Sequence, residues 1–163
     1  MPGWSTEVAD ELVALATLQG KLLDQTSVQR LIYIAHGIRL ATSGHPLTGD
    51  RPEAWATGPI YRRLAHALAR FGNRPVTGVI AADQAPDEVS ADRKSIQSGL
   101  DSDERELLER VLDSYGQFSA AQLGILTCGT GSPWTLVYAG GAGINRDISH
   151  AMVRAQFEQH SKT

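Results

Sequence analysis

Apolar residues recur at helical intervals through most of the chain, and these runs predict the elements. In residues 6–19, Val8, Leu12, Leu15 and Leu18 fall at steps of three and four. That spacing predicts a first amphipathic helix, capped by Ser5 or Thr6 and ended by Gly20. Thr26 followed by Gln29 reads as a capping box opening a second helix, whose apolar stripe is Val28, Leu31, Ile32, Ala35 and Ile38. It is expected to stop near Ser43-Gly44, because Pro46 of the following His45-Pro46-Leu47 forbids helical continuation. Gly58-Pro59 predicts a third helix with proline at its first position. Its buried side would be Ile60, Leu64, Ala67, Leu68 and Phe71, and Gly72-Asn73 would end it.

Beyond Arg74 the helical period dissolves. Residues 75–80 have the composition of a short strand, and residues 81–99 read as a polar loop or insertion. Asp101 and Asp103 open a fourth helix with Glu104, Glu106 and Glu109 toward its positive end. Leu107, Leu108, Val111, Leu112 and Tyr115 form its buried side, and Gly116 ends it. Ser119-Ala120-Ala121-Gln122 is a further capping box, leading into Leu123 and Leu126. Ser132-Pro133-Trp134 starts another helical turn. Gly140, Gly141 and Gly143 mark a loop, and Asn145 is expected to cap a last helix bearing Ile148, Met152, Ala155 and Phe157. The resulting expectation is a mainly α, compact single-domain helical bundle with a small β element near Val76 to Ile80.

Composition narrows the class. The 163 residues are 42% hydrophobic and 20% charged, an ordinary globular balance in which no disulfide or metal is needed to fold. The net charge of -3 argues against sequence-independent nucleic-acid binding, which requires clustered positive charge. Cys128 is the lone cysteine, as suits a reducing cytosol. The N-terminal MPGWSTEVADEL is not expected to be a secretory signal, and no apolar run approaches a membrane span. A cytoplasmic protein is the expectation.

Candidate chemistry is sparse. His36 and Cys128 are the pair from which an enzyme would be built, by themselves or with a nearby carboxylate. The alternative reading makes His36 a residue satisfied against backbone and Cys128 a small buried hydrophobe. The five histidines, His36, His45, His66, His150 and His160, show no metal-ligand spacing, and no phosphate-cradling glycine loop is present. No cofactor or metal is therefore expected. Trp55, two residues after Glu53, either packs in the core or borders a groove for a partner together with Trp134. Arg62, Arg63, His66, Arg70 and Arg74 decorate the outer sides of the third helix, as a solvated face or as a surface for an acidic protein.

In order along the chain stand Val28-Gln29-Arg30-Leu31-Ile32-Tyr33-Ile34-Ala35-His36-Gly37, Gly44-His45-Pro46-Leu47, Glu53-Ala54-Trp55 and Gly58-Pro59-Ile60-Tyr61. Tyr115-Gly116, Ser119-Ala120-Ala121-Gln122-Leu123, Leu126-Thr127 and Pro133-Trp134 follow, with Ile144 and Phe157 toward the end. This pattern resembles the Panacea domain, which includes SocA-like antitoxins and phage-associated proteins of the GepA type. The resemblance spans residues 22–157. Within it, Gln29, Arg30, Tyr33, His36, Gly37, Glu53, Trp55, Gly58, Pro59, Pro133 and Trp134 are the motif positions. Arg30 stands where the family usually has lysine, and Cys128 where it often has histidine. The division of the chain is then an N-terminal helix (1–21), a Panacea-like domain (22–158) and a short tail (159–163).

The resemblance implies an antitoxin of a bacterial or phage toxin-antitoxin system. Its partner would be a cognate toxin protein, neutralised by direct binding or by presentation to an ATP-dependent protease. Nucleic acid would be met only through the toxin or in autoregulation, which is the rival reading, ahead of an enzyme using His36 and Cys128. The first candidate for the toxin surface is Trp55 with Arg62, Arg63, His66, Arg70 and Arg74.

Overall fold

The computed structural model describes residues 3–78, 80 and 100–161. Among these, the elements are α1 (Ser5–Leu18), α2 (Gln25–Ser43), β1 (Glu53–Trp55), β2 (Gly58–Ile60), α3 (Arg62–Leu68), α4 (Ser102–Tyr115), α5 (Ala120–Cys128), α6 (Pro133–Tyr138) and α7 (His150–Ser161). The mainly α expectation holds. None of these helices is long and apolar enough to cross a membrane.

Helix α2 is the axis of the domain. Asp24, not a Thr26–Gln29 box, caps its start: the Asp24 carboxylate accepts the Ser27 N–H at 2.7 Å. Gly44, at φ +76°, closes its end by donating to the Leu40 carbonyl. The sequence shows one apolar stripe on this helix, yet burial extends almost around it, through Val28, Leu31, Ile32, Tyr33, Ile34, Ala35 and Leu40. A helix enclosed on all sides must turn its polar residues inward as well. α2 contacts α1, α3, α4, α5 and α7, and β2 also rests on it.

α1 buries Val8, Ala9, Leu12, Val13 and Ala16, whereas Leu18 is 84% exposed and leaves the predicted stripe. Ser5 does not act as an N-cap. Its N–H and hydroxyl both donate to the Asp50 carboxylate, tying the start of α1 to the loop before β1.

The small β element lies earlier than the sequence suggests. β1 and β2 form an antiparallel hairpin pairing Glu53 with Ile60, Ala54 with Pro59 and Trp55 with Gly58. Residues 145–148 run beside β1: Asn145 N–H donates to Ala54 O, Ala54 N–H to Arg146 O, and Ile148 N–H to Pro52 O. Gly58-Pro59 therefore forms the return strand and does not launch α3. A proline φ near −65° suits a strand edge as well as a first helical turn, so the dipeptide alone cannot separate them. Gly58 adopts φ +125°, and a Cβ there would lie 2.7 Å from Cys128 Sγ.

No strand forms at residues 75–78 or 80. Val76 N–H bonds to Leu23 O, and Ile80 N–H bonds to the buried Asp10 carboxylate. Val76 and Ile80 thus find partners outside any ladder. Residues 81–99, read from sequence as a loop, lie outside the described residues. The capping boxes of α4 (Asp101 with Glu104) and α5 (Ser119 with Gln122) are both formed. Asn145 is not the cap of α7: it sits at φ +67°, and Ser149 Oγ accepts the Met152 N–H at 3.2 Å instead.

Candidate partner-binding surface

The motif residues of α2 are fasteners. Gln29 reaches Tyr61, at the start of α3, with both ends of its amide. Its Oε1 accepts the Tyr61 N–H at 3.0 Å and its Nε2 donates to the Tyr61 carbonyl at 3.2 Å. One buried side chain thus satisfies both backbone groups where the hairpin turns into a helix, a need set by their removal from water. Arg30 donates from its guanidinium to Ala120 O and, at 3.1 Å, to Thr57 O, clasping α5 and the hairpin turn together. The Tyr33 hydroxyl donates to Gln156 Oε1 at 2.9 Å, and Gln156 Nε2 donates to Leu126 O at 3.2 Å. Burial pushes the Tyr33 hydroxyl well above its ordinary titration range. Gly37 is required by α7, because a Cβ there would fall 2.1 Å from the Phe157 ring.

His36 belongs to the same set. It is fully buried, and its Nδ1 accepts the Leu47 N–H at 3.2 Å. In a neutral ring the proton then resides on Nε2, which faces His150 Nδ1 at 3.1 Å and donates to it. Burial, and secondarily the neighbouring His150, lower the pKa of His36 from 6.5 to about 3. His150 is also lowered, by burial first and by Arg51 second. Both His36 nitrogens are therefore committed to holding α2 against the 45–47 turn and the start of α7, and neither bonds Cys128. Cys128 Sγ lies 3.4 Å from Thr127 Oγ1.

The predicted surface residues separate into two groups. Trp55, Arg62 and Arg63 come together. Glu53 receives Arg62 through two bonds, Nε to Oε2 at 3.0 Å and Nη2 to Oε1 at 2.9 Å, and accepts Trp55 Nε1–H at 3.0 Å. Partial burial opposes ionisation of Glu53, but the hydrogen bonds from Arg62 and Trp55 outweigh it and hold the carboxyl below its ordinary range. Arg62 also lies over the Trp55 ring at 5.9 Å, and Arg63 over the Trp4 ring at 4.1 Å. Trp4, Asp50, Arg51, Glu53, Arg62 and Arg63 border an open cleft of about 410 Å³. Trp134 braces the neighbouring hairpin, its Nε1 donating to the Trp55 carbonyl at 2.6 Å.

The second group lies at the far end of α3. Arg70 stacks on Phe71 at 4.7 Å, and Arg74 folds back onto the Arg70 and Phe71 carbonyls. His66 is exposed between the groups. Sequence reasoning missed Trp4, Arg51 and the His150 and Gln156 partners. Trp4 alone had a visible signal, a large aromatic just before a helix start, but nothing tied it to Arg63, fifty-nine positions on.

Comparison with known proteins identifies the family of this domain. Residues 28–135 match the family model described as Antitoxin SocA-like, Panacea domain. Antitoxin SocA of Caulobacter vibrioides is 31% identical over 146 residues, covering 85% of this chain and 71% of that protein. No solved structure gives a significant match. Nearly all the inward bonds just described, from Gln29 and His36 of α2 to Trp134 of α6, have at least one partner inside the matched span, and the chain belongs to the SocA-like antitoxin family defined by the Panacea domain.

Proposed function

We propose that this chain is an antitoxin that grips a toxin protein and neutralises it by that grip. Presentation of the bound toxin to an ATP-dependent protease is a second consequence of the same contact. The observation that supports this reading is the 31% identity to an antitoxin spread over 85% of the chain. The geometry is in keeping with a recognition role, since His36, the residue an enzyme would use, has both nitrogens engaged in internal hydrogen bonds and is held neutral.

For the toxin surface we propose the cleft bordered by Trp4, Glu53, Arg62 and Arg63, with Trp55 beside it on Glu53 and His66, Arg70 and Arg74 extending it along and beyond α3. Tryptophan and arginine are enriched among the residues that carry binding energy at interfaces, tryptophan through large area at the cost of few rotamers and arginine through its planar fork of donors. Trp55 and Arg62 are already immobilised on Glu53, so little ordering remains to be done on binding.

The test is co-expression with the product of the adjacent gene. Restored growth of cells expressing that product, together with a stable complex on purification, is the expected result. Continued growth arrest, or the absence of a complex on purification, would point away from binding as the activity. Measuring the toxin's half-life with and without an ATP-dependent protease separates simple sequestration from delivery.

A further inference from the structure

Helix α7 is fastened to α2 along its length by the Tyr33–Gln156 hydrogen bond and the Phe157 ring over Gly37, and at its first residue by His150. The His150 contact differs in kind, because both partners titrate. The two rings lie 4.9 Å apart between centroids. A single proton serves the contact, carried by His36 Nε2 and accepted by His150 Nδ1 at 3.1 Å. His36 has no choice of tautomer, since its Nδ1 is occupied by the Leu47 N–H at 3.2 Å.

A second proton finds no place in this arrangement. On His150 it would go to Nδ1 and meet the His36 Nε2–H, donor against donor. Moving the His36 proton to Nδ1 only transfers the conflict to the Leu47 N–H. Turning the His150 ring over puts a carbon where Nδ1 stood, so no flip restores the bond. A cation on the first residue of a helix also opposes the helix dipole.

The two rings meet this conflict unequally. His36 is fully buried and His150 only partly, so His150 takes the first proton as pH falls. Burial, and then Arg51 from the loop before β1, hold His150 below the ordinary histidine range. The bond is therefore complete above about pH 6.5 and is lost below it, as His150 charges. Neighbouring groups are engaged elsewhere. Asp50 accepts from Ser5, Arg154 pairs with Glu158 at 2.6 Å, and Asp147 stands opposite Glu53 and acts on Arg62. Arg39 of α2 acts on Asp101 and Glu104, and Tyr138 of α6 stacks on Trp134. Tyr61 meets the His36 ring edge-on at 6.2 Å, with its hydroxyl held by burial well above its ordinary range. His45, on the adjoining turn, is exposed.

We propose that His36 and His150 form a proton-operated latch on α7: a proton on His150 breaks its bond to His36 and frees the first turn of the helix, while Tyr33–Gln156 and Phe157 keep the rest docked. This latch is independent of the antitoxin reading and of the toxin surface.

The experiment follows amide hydrogen exchange at residues 150–154 of the full chain by NMR, from about pH 7.5 to about pH 4.5, each rate divided by the intrinsic chemical rate at that pH. That range lies above the titration of His36 at about 3. In wild type the corrected exchange is expected to rise about tenfold on acidification. Its midpoint should equal the His150 midpoint read from the ring proton shifts. His150→Asn sets an oxygen where Nδ1 stands, still accepts from His36 and takes no proton, so its corrected exchange should stay flat. His150→Lys offers only donors and should exchange fast throughout. His45→Gln controls for the exposed neighbour and should follow wild type. Flat corrected exchange in wild type overturns the latch, as does an acid rise that persists in His150→Asn or disappears in His45→Gln. A rise spread evenly over all of α7 overturns it too, since the whole helix then opens. If His150→Asn fails to fold, the two wild-type midpoints decide alone, and a mismatch between them overturns the latch.

Discussion

Helices α2 and α3 both carry polar residues, but they spend them in opposite directions. On α2, Gln29, Tyr33 and His36 point inward and bond backbone or side chains of other elements. On α3, Arg62 and His66 are exposed, and only Leu64 and Leu68 of that helix are fully buried. The difference has an energetic basis. A buried amide or imidazole without its partner costs about 1–3 kcal/mol, so the α2 residues are constrained individually. An exposed guanidinium exchanges its neighbour for water at little cost, so the α3 residues are little constrained by the fold. The α2 motif residues therefore serve to fasten the domain.

Acid should divide the two helices most sharply. An unfolded histidine titrates near 6.5, whereas His36 in the fold resists protonation down to about 3. The folded state thus binds fewer protons than the unfolded state across that window. Its stabilisation is complete above pH 6.5 and is lost as pH falls toward 3, by about 1.4 kcal/mol per pH unit and up to about 5 kcal/mol in total. Urea melts at stepped pH should show this slope in wild type and a flatter one in His36→Gln. An unchanged slope in the variant would mean that other groups govern acid unfolding.

Next in size is Gln29→Leu, which keeps the volume but strands the Tyr61 N–H in a dry site, while the Tyr61 carbonyl keeps the Ala65 N–H. One unsatisfied buried donor predicts a loss of about 1–3 kcal/mol in chemical denaturation. A change below about 1 kcal/mol would show that the hairpin exit relaxes to find other partners. Gly37→Ala follows. Its new methyl meets the Phe157 ring, and overpacking of this kind costs about 1–3 kcal/mol. The double variant Gly37→Ala/Phe157→Ala should be less destabilised than the sum of its parts, since the second change removes the clash. At the small end stands Arg62→Gln on α3. Its ion pair with Glu53 is half open to water, so thermal stability should hardly move while affinity for the adjacent gene product falls. A large drop in Tm would make Arg62 a fastener and erase the contrast between the helices.

Much of the scaffold could be read locally. The Asp101 helix start, the Ser119 capping box, the Ser132-Pro133 helix start and the Gly44 stop are all satisfied within a few residues of chain, and each stands where the sequence predicts. Misreadings arose where a local signal competes with a distant partner. Thr26–Gln29 has the form of a capping box, but Gln29 gains more from two buried backbone groups thirty-two positions away. Gly58-Pro59 has the form of a helix start, but Ala54 lies across from it as a strand partner. Asn145 has the form of a helix cap, but its N–H pairs with Ala54 O. Of the candidate surface residues, Trp55 and Arg62 both bond Glu53, a neighbourhood set within one short stretch of chain, while the stacking of Arg63 on Trp4 joins distant elements.

Hydrophobic period, capping chemistry and the order of motifs sufficed to establish a helical domain of the SocA-like antitoxin family, because these signals act over one or two turns of chain and need no knowledge of what packs against them. Which polar residues turn inward, where the β-hairpin lies and which apolar side chains stay uncovered were decided only when α2 was surrounded. Burial and hydrogen-bond satisfaction are properties of the whole enclosure, and they override a local preference whenever a distant group would otherwise be left dry and unpaired.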